Sequence, residues 1–368
     1  MRILYVGSPE LFGSGASSIH VAKMVEAFGH LKHEVDLLIP IKKNKINDFY
    51  MYYSVNKNFK IINSVGVSAG SLRHFLHGII SLFSIKEKYN LIITRNITFA
   101  FLGSFFLKNI IIDIHHPPIN FFSKIAIKRF IKSSNVKNII CNSAGTYRHI
   151  NANNIKKAKI LPNGVDLKKF DKTYDLDILR KKLKINKNIK IVSYIGNLYQ
   201  GRGIEMIIKL SKHFENLFFL LVGGEKSDIE NYRNLLSEEN KNILFTGHIL
   251  QSDIVKYYKL SDFLIIPYEN NFTIKGSINA ATFSSPIKLF EHLASEKPII
   301  ASNIDSINSI LEDGQDAILI PEGNFEEYVK KITNLVNDEK LKKKLSENAK
   351  KKSLKFSWIN RAKGFIDQ

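Results

Sequence analysis

Residues Ser284–Ser302, SSPIKLFEHLASEKPIIAS, run from loop through helix into strand. Pro286 marks a helix start, because its missing N–H would have had no partner in a first turn. Lys288 stands there against the positive end of the helix dipole, and Glu291 follows about one turn later. The closing strand, PIIAS, has no polar alternation. A strand apolar on both sides is buried on both faces, as in a parallel sheet between helix layers.

Working outward, the same kind of run recurs at KIVSYIG (190–196), LFFLLVGG (217–224), NILFTG (242–247), DFLIIP (262–267) and AILI (317–320). Each ends at Gly, Pro, Ser or a similar residue, and helix-length sequence separates them. A second series lies upstream: RILYVG (2–7), EVDLLIP (34–40), LIIT (91–94), NIIIDIH (109–115) and VKNIICNS (136–143). Between its first two strands, Ile19, Val21, Ala22, Val25 and Phe28 repeat at helical spacing. Residues 166–188 are polar and charged and read as a linker with a short helix. From Glu326 the chain reads as lysine-rich helix, and the lone Trp358 sits in an amphipathic terminal segment suited to docking on an apolar surface. The fold class is therefore α/β, two doubly wound domains at 1–165 and 186–353. In such sheets ligands bind beyond the carboxyl ends of the strands, and with two domains the natural site is a central cleft.

The chain has 368 residues, 44% of them apolar, which suits two cores better than one. Its single cysteine, Cys141, excludes an intrachain disulfide and reads as a small buried hydrophobe. MRILYVG lacks the apolar region and cleavage site of a signal peptide, and no apolar run reaches the roughly 18 residues of a membrane span. The expected location is the cytoplasm or the inner face of its membrane. The net charge of +20 attracts polyanions, anionic lipid or phosphorylated substrates; a lysine-rich composition bias accounts for it equally well.

Several strand-to-helix turns carry candidate chemistry. In GSPELFGSGASS (7–18), Gly13 and Gly15 let backbone N–H groups approach a phosphate at a helix N-terminus. The loop is neither a dinucleotide fingerprint nor a P-loop, and a plain turn stays open. In IIDIHHPP (111–118), Asp113 and His115 end a strand, where a histidine either bonds a substrate hydroxyl or is purely structural. In YIGNLYQGRG (194–203), Arg202 precedes a helix and is placed to clamp a pyrophosphate, the alternative being an exposed surface arginine. Gly223 in LVGG and the backbone at Ile249 in FTGHI line the same edge, the latter suited to reading a base. Asp175 and Asp177 match a metal-binding Asp-x-Asp but precede a helix, where aspartate caps. The segments 72–89 and 121–132 read either as membrane-surface helices or as core-facing ones. Lys288 and Glu291 also fit a simple i,i+3 surface pair.

Together, DIH, ICNS, LPNGVD, GNLYQGRG, LVGG, FTGHI, LIIP and SPIKLFEHLASEKPIIAS resemble the retaining, nucleotide-sugar-dependent glycosyltransferases of family 4, over nearly the whole chain. The resemblance implies a GT-B fold of two Rossmann-like domains facing a central cleft, with a terminal helix, 354–368, packing back on the first domain. It implies that Glu291 holds the donor ribose, that Arg202, Lys288 and helix N–H groups hold the diphosphate, and that Ser285 and Pro286 belong to the donor site. It implies that His115 lies near the donor sugar, and that the loop at Gly13 and Gly15 meets phosphate and acceptor. The chain departs from the pattern twice. Asn197 replaces the arginine of an Arg/Lys pair, and Phe283 stands eight residues before Glu291, where the family has its first glutamate. The form Ser-Pro-x-Lys-x-x-Glu resembles a variant lacking that glutamate.

The implied activity is a hexosyl-type transfer from a nucleotide sugar, UDP- or GDP-linked, to a glycan or polyprenyl-diphosphate-linked acceptor in bacterial surface polysaccharide synthesis. No metal or cofactor is implied, and no nucleic-acid partner; an anionic membrane surface is. Two other readings remain: an inactive GT-B-fold partner of a transferase, and a nucleotide-sugar epimerase.

Overall fold

The structure, a computed structural model, describes residues 1–13, 15–64, 70–150, 155–274 and 278–367. The chain divides into two compact units. Unit 1 comprises Met1–Gly164, Phe283–Ser285 and Trp358–Gln368; unit 2 comprises Val165–Thr282 and Pro286–Ser357.

Unit 1 alternates strand and helix: β1 (Arg2–Val6), α1 (Ala16–His30), β2 (Glu34–Ile39), α2 (Ile46–Tyr52), β3 (Lys60–Asn63), α3 (Gly70–Phe83) and β4 (Leu91–Thr94). It continues with α4 (Ile97–Gly103), β5 (Ile110–Ile114), α5 (Phe121–Lys132), β6 (Val136–Cys141), α6 (Ala144–His149) and β7 (Ala158–Ile160). The seven strands are parallel in the order β3-β2-β1-β4-β5-β6-β7. Chain order reverses at β1 and β4, whose register pairs Ile3 with Leu91. The crevice beyond that pair is where a doubly wound sheet binds ligands. The sequence-read strands are buried on both faces, as their composition requires. Cys141, closing β6, is fully buried, and burial with Asp113 nearby pushes its thiol up to about 12.

Unit 2 opens with α7 (Leu167–Phe170) and α8 (Leu176–Lys182), so the stretch read as a linker belongs to this unit. The Asp175 side chain accepts from the Asp177 N–H at 3.0 Å and caps α8. There follow β8 (Lys190–Ile195), α9 (Ile204–His213), β9 (Leu217–Val222), α10 (Lys226–Arg233), β10 (Ile243–Phe245), α11 (Ile254–Leu260) and β11 (Phe263–Ile266). A hairpin, β12 (Thr273–Ile274) with β13 (Ile278–Asn279), precedes α12 (Ile287–Ala294) and β14 (Ile299–Ser302). Then come α13 (Asp305–Asn308), β15 (Ile318–Ile320), α14 (Phe325–Asn337) and α15 (Glu339–Ser353). Six strands form a parallel sheet, β10-β9-β8-β11-β14-β15, reversing at β8 and β11.

The last helix, α16 (Trp358–Ile366), packs on α1 in unit 1. Phe365 and Phe28, both fully buried, meet edge to face at 6.0 Å, and Trp358 meets the His20 ring at 5.4 Å. These contacts account for the apolar side of the terminal segment.

Candidate functional site

In unit 2, two glycines draw the strand exits together. Gly203, with φ +70°, starts α9, and a Cβ there would lie 1.8 Å from the Pro267 carbonyl oxygen beyond β11. Gly223, with φ +117°, would place a Cβ 2.2 Å from the Gly196 carbonyl oxygen beyond β8. Only glycine fits either position. The Gly223 N–H donates to Gly247 at 3.0 Å, which brings in the exit of β10, two residues before Ile249. Asn197 and Arg202 stand in the turn between β8 and α9. The Arg202 guanidinium lies 4.4 Å from the Tyr268 ring centre and 4.2 Å from that of Phe272. Its Nε is buried without a hydrogen-bond partner. Stacking fixes the plane of a guanidinium and leaves its edge for an anion.

On α12, Pro286 occupies the N-cap position, one residue before the first turn. No side chain caps this helix and no acid lies in its first turn. Lys288 Nζ lies 2.8 Å from Glu291 Oε2, and the buried Tyr258 hydroxyl of α11 donates to the same oxygen at 3.1 Å. His292, lowered to about 4 by burial, is neutral; its Nδ1–H donates to the Lys288 carbonyl. The Glu291 carboxylate is thus buried, doubly held and fixed in direction. Among the described residues no hydrogen bond or ion pair links the Arg202 group to the Lys288–Glu291 group.

Unit 1 holds a second constellation, at the end of β5. Asp113 is buried, and Arg361 of α16 donates to its Oδ1 at 2.7 Å. His115 Nε2 stands 3.0 Å and His20 Nε2 3.5 Å from Oδ2. Burial opposes the charge on Asp113, yet Arg361 and the two histidines hold its carboxyl well below the usual range. Burial lowers His115 to about 3, and His20 well below its ordinary value.

The histidine tautomers follow from the donors around them. Asn142 Oδ1 accepts from Thr146, so its amide NH₂ faces His115 Nδ1, at 3.3 Å. Arg95 faces His20 Nδ1 at 3.3 Å. Each Nδ1 is therefore a lone pair and each Nε2 carries the proton; both Nε2 atoms lie close to Asp113 Oδ2, but none of these three atoms makes a well-aligned hydrogen bond. His20, Asp113 and His115 lie close enough together for a shared metal ion. With both Nε2 atoms protonated, and Arg361 and Arg95 alongside, the trio instead forms a buried charge cluster.

The predicted residues divide between the units. Asn197, Arg202, Gly223, Ile249, Pro286, Lys288 and Glu291 lie in unit 2. Gly13, Gly15, His115 and Ser285 lie in unit 1. A Cβ at Gly13 or Gly15 would meet open space, and Gly15 starts α1 with φ −73°, so local geometry demands glycine at neither. Ser14, between them, lies outside the described residues. Ser285 is held by Asn163, whose amide donates to its carbonyl at 2.6 Å. His115 has its Nδ1 facing Asn142 and its Nε2 beside Asp113 without an aligned hydrogen bond, both within unit 1.

Phe283 is buried with its ring edge-on to His116 at 6.0 Å and His149 at 6.2 Å. Its carbonyl accepts from the Ser143 hydroxyl. Tyr258, Arg361, His20 and Arg95 were not anticipated from sequence. Each reaches its partner from a distant element, and only the amphipathic segment around Trp358 offered a signal, for Arg361.

Residues 175–352 match the family described as glycosyl transferases group 1. This part of the chain is a group 1 glycosyltransferase domain. A glycosyltransferase of Methanocaldococcus jannaschii is 27% identical over 62% of this chain and 56% of its own. The UDP-Gal:alpha-D-GlcNAc-diphosphoundecaprenol alpha-1,3-galactosyltransferase of Escherichia coli is 23% identical over 53% of this chain and 49% of its own. The chain spans about half the length of the curated relatives it matches. The Anabaena HepE structure in complex with UDP-glucose aligns with 100% of this chain and 98% of its own, at TM-score 0.76 and 15% identity. That likeness is one of fold, and the fold of this chain is the GT-B arrangement of two parallel-stranded α/β units.

Proposed function

We propose that the chain is a retaining glycosyltransferase that moves a hexosyl group from a nucleotide sugar, UDP- or GDP-linked, to a lipid-linked glycan acceptor. Its setting is bacterial surface polysaccharide synthesis at the inner face of the cytoplasmic membrane. The observation that carries this reading is the α12 arrangement: a buried Glu291 carboxylate held by Lys288 and Tyr258 in a group 1 domain. A carboxylate fixed in this way is suited to accept from the two adjacent hydroxyls of a ribose. Arg202, planar between two rings, is suited to a diphosphate.

In the proposed reaction the bond from the anomeric carbon to the diphosphate breaks as the acceptor oxygen attacks from the same face. The acceptor proton passes to a phosphate oxygen. Negative charge grows on the leaving diphosphate, so Arg202, Lys288 and the uncapped start of α12 hold it more strongly in the transition state than before. These groups supply the charge that a metal would otherwise supply, and the reading is accordingly metal-independent. Of the predicted residues, His115 supports a direct role least, since its ring is packed between Asp113 and Asn142.

A thermal-shift panel of UDP-, GDP-, CMP- and dTDP-sugars tests the proposal. One member at 100 times its Kd should add about 2.7 kcal/mol of stability, and Glu291→Gln should remove most of that gain. Transfer with the active donor should persist in EDTA. A panel without any stabilising sugar overturns the donor reading, and transfer that stops in EDTA overturns the metal-free one.

A further inference from the structure

The outer surface of the α3–α4–α5 layer is built unlike the rest of the chain. These helices pack in sequence on one another, α3 on α4 and α4 on α5. Among the described residues, sixteen large hydrophobic side chains are exposed, and nine of them lie between Leu72 and Ile125. Phe83 is 83% exposed, Phe121 81%, Phe106 62% and Phe105 57%. The partly buried Phe101 links two of the exposed rings across α4 and α5, meeting Phe105 at 5.6 Å and Phe122 at 5.3 Å. Scattered exposed hydrophobics are ordinary, but a cluster of aromatics marks an interaction surface.

Charge identifies the partner. On α5 the exposed stripe reads Phe121, Lys124, Ile125, Lys128 and Lys132, at helical spacing, without an acid. Lys86, Lys88 and Lys108 stand exposed at the ends of α3 and α4. From Phe49 to Val165 the sequence holds only two acids, Glu87 and Asp113. Glu87 is paired with Arg2, and Asp113 is buried under Arg361. Rings that penetrate a headgroup layer, interleaved with unpaired lysines, match an anionic bilayer surface. A protein partner would be expected to meet some acid on this face for directional pairing.

We propose that this α3–α4–α5 face docks unit 1 on an anionic lipid bilayer, with Phe121, Phe122 and Phe106 in the headgroup layer and Lys124 and Lys128 on lipid phosphates. The proposal rests on the membrane-side acceptor reading above. It extends that reading by assigning the surface and the lipid charge.

The test is co-sedimentation of the full chain with vesicles of phosphatidylcholine containing 30% phosphatidylglycerol, and with phosphatidylcholine alone. Binding to the anionic vesicles should weaken steeply with salt. Each lysine near such a surface contributes about fivefold to partitioning, so Lys124→Gln with Lys128→Gln should weaken binding about 25-fold. Phe121→Ser with Phe122→Ser should weaken it at least tenfold at constant charge. All four side chains are exposed, so each variant should keep the wild-type melting temperature.

Equal binding to both vesicle types, or variants that bind like wild type, overturns the proposal. So does a dimer in light scattering that the phenylalanine variant converts to monomer, since the face would then cover a second copy. Stabilisation by a nucleotide sugar, measured without vesicles, reports separately on the transferase reading.

Discussion

Arg361 and Asp113 are 248 positions apart in sequence and 2.7 Å apart in space. Neither side chain is more than 2% exposed. Such a pair adds little net stability when complete, but removing one partner strands a buried charge. Arg361→Met should therefore destabilise unit 1 by about 3–5 kcal/mol in urea unfolding. Adding Asp113→Asn should recover a large part of the loss, because the second change removes the stranded charge. A double variant no better than the single one would mean that Arg361 acts through packing alone. The same reasoning bears on His115. Its neutral ring, packed between Asp113 and Asn142, braces the exit of β5.

At the scale of elements, the sequence made the buried strands plain and hid the edges of the unit 1 sheet, though not β10 and β15, the edges of the unit 2 sheet. The central strands are uninterrupted apolar runs because helices cover both faces. The two strands that were not predicted, β3 and β7, are the two edges of the unit 1 sheet. KIIN and AKI carry a lysine each and bury only one side fully or neither, so their apolar signal is short and broken. The hairpin of β12 and β13 has two residues per strand and escaped for the same reason; residues 275–277 between them lie outside the described residues. At the candidate site, the pairing of Lys288 with Glu291 follows from local i,i+3 spacing and was readable. Tyr258, thirty-three positions away on α11, was not, because tertiary packing alone brings it in. Helix α16 shows how an element gains its place. Phe365 is fully buried against Phe28, so Phe365→Ala should cost about 3–5 kcal/mol. A smaller loss in thermal unfolding would mean that Trp358 and Arg361 hold the helix without it.

For the whole molecule, the neutral histidines set a response to acid. Burial lowers His77 and His292 to about 4 and His115 to about 3. The unfolded chain protonates these rings near pH 6.5, the folded chain only two to four pH units lower, as a rough span. Between those limits the unfolded state binds more protons, so stability is complete above about pH 6.5 and declines as pH falls towards 4. Asp113, depressed in the folded state, adds a loss below about pH 4 in the same direction. Four of the strongly lowered rings, His20, His77, His115 and His116, belong to unit 1, against His292 in unit 2. Calorimetry should show the unit 1 transition moving down further than that of unit 2 between pH 7 and 4.5, and equal shifts would refute the assignment. Cys141 has a practical consequence of its own. With the only thiol fully buried and its ionisation pushed up to about 12, the native chain offers almost no thiolate to an alkylating reagent at neutral pH. A cysteine introduced on any exposed helix is then a unique attachment point, and a single spin label or fluorophore reports from one known position without first mutating the natural residue.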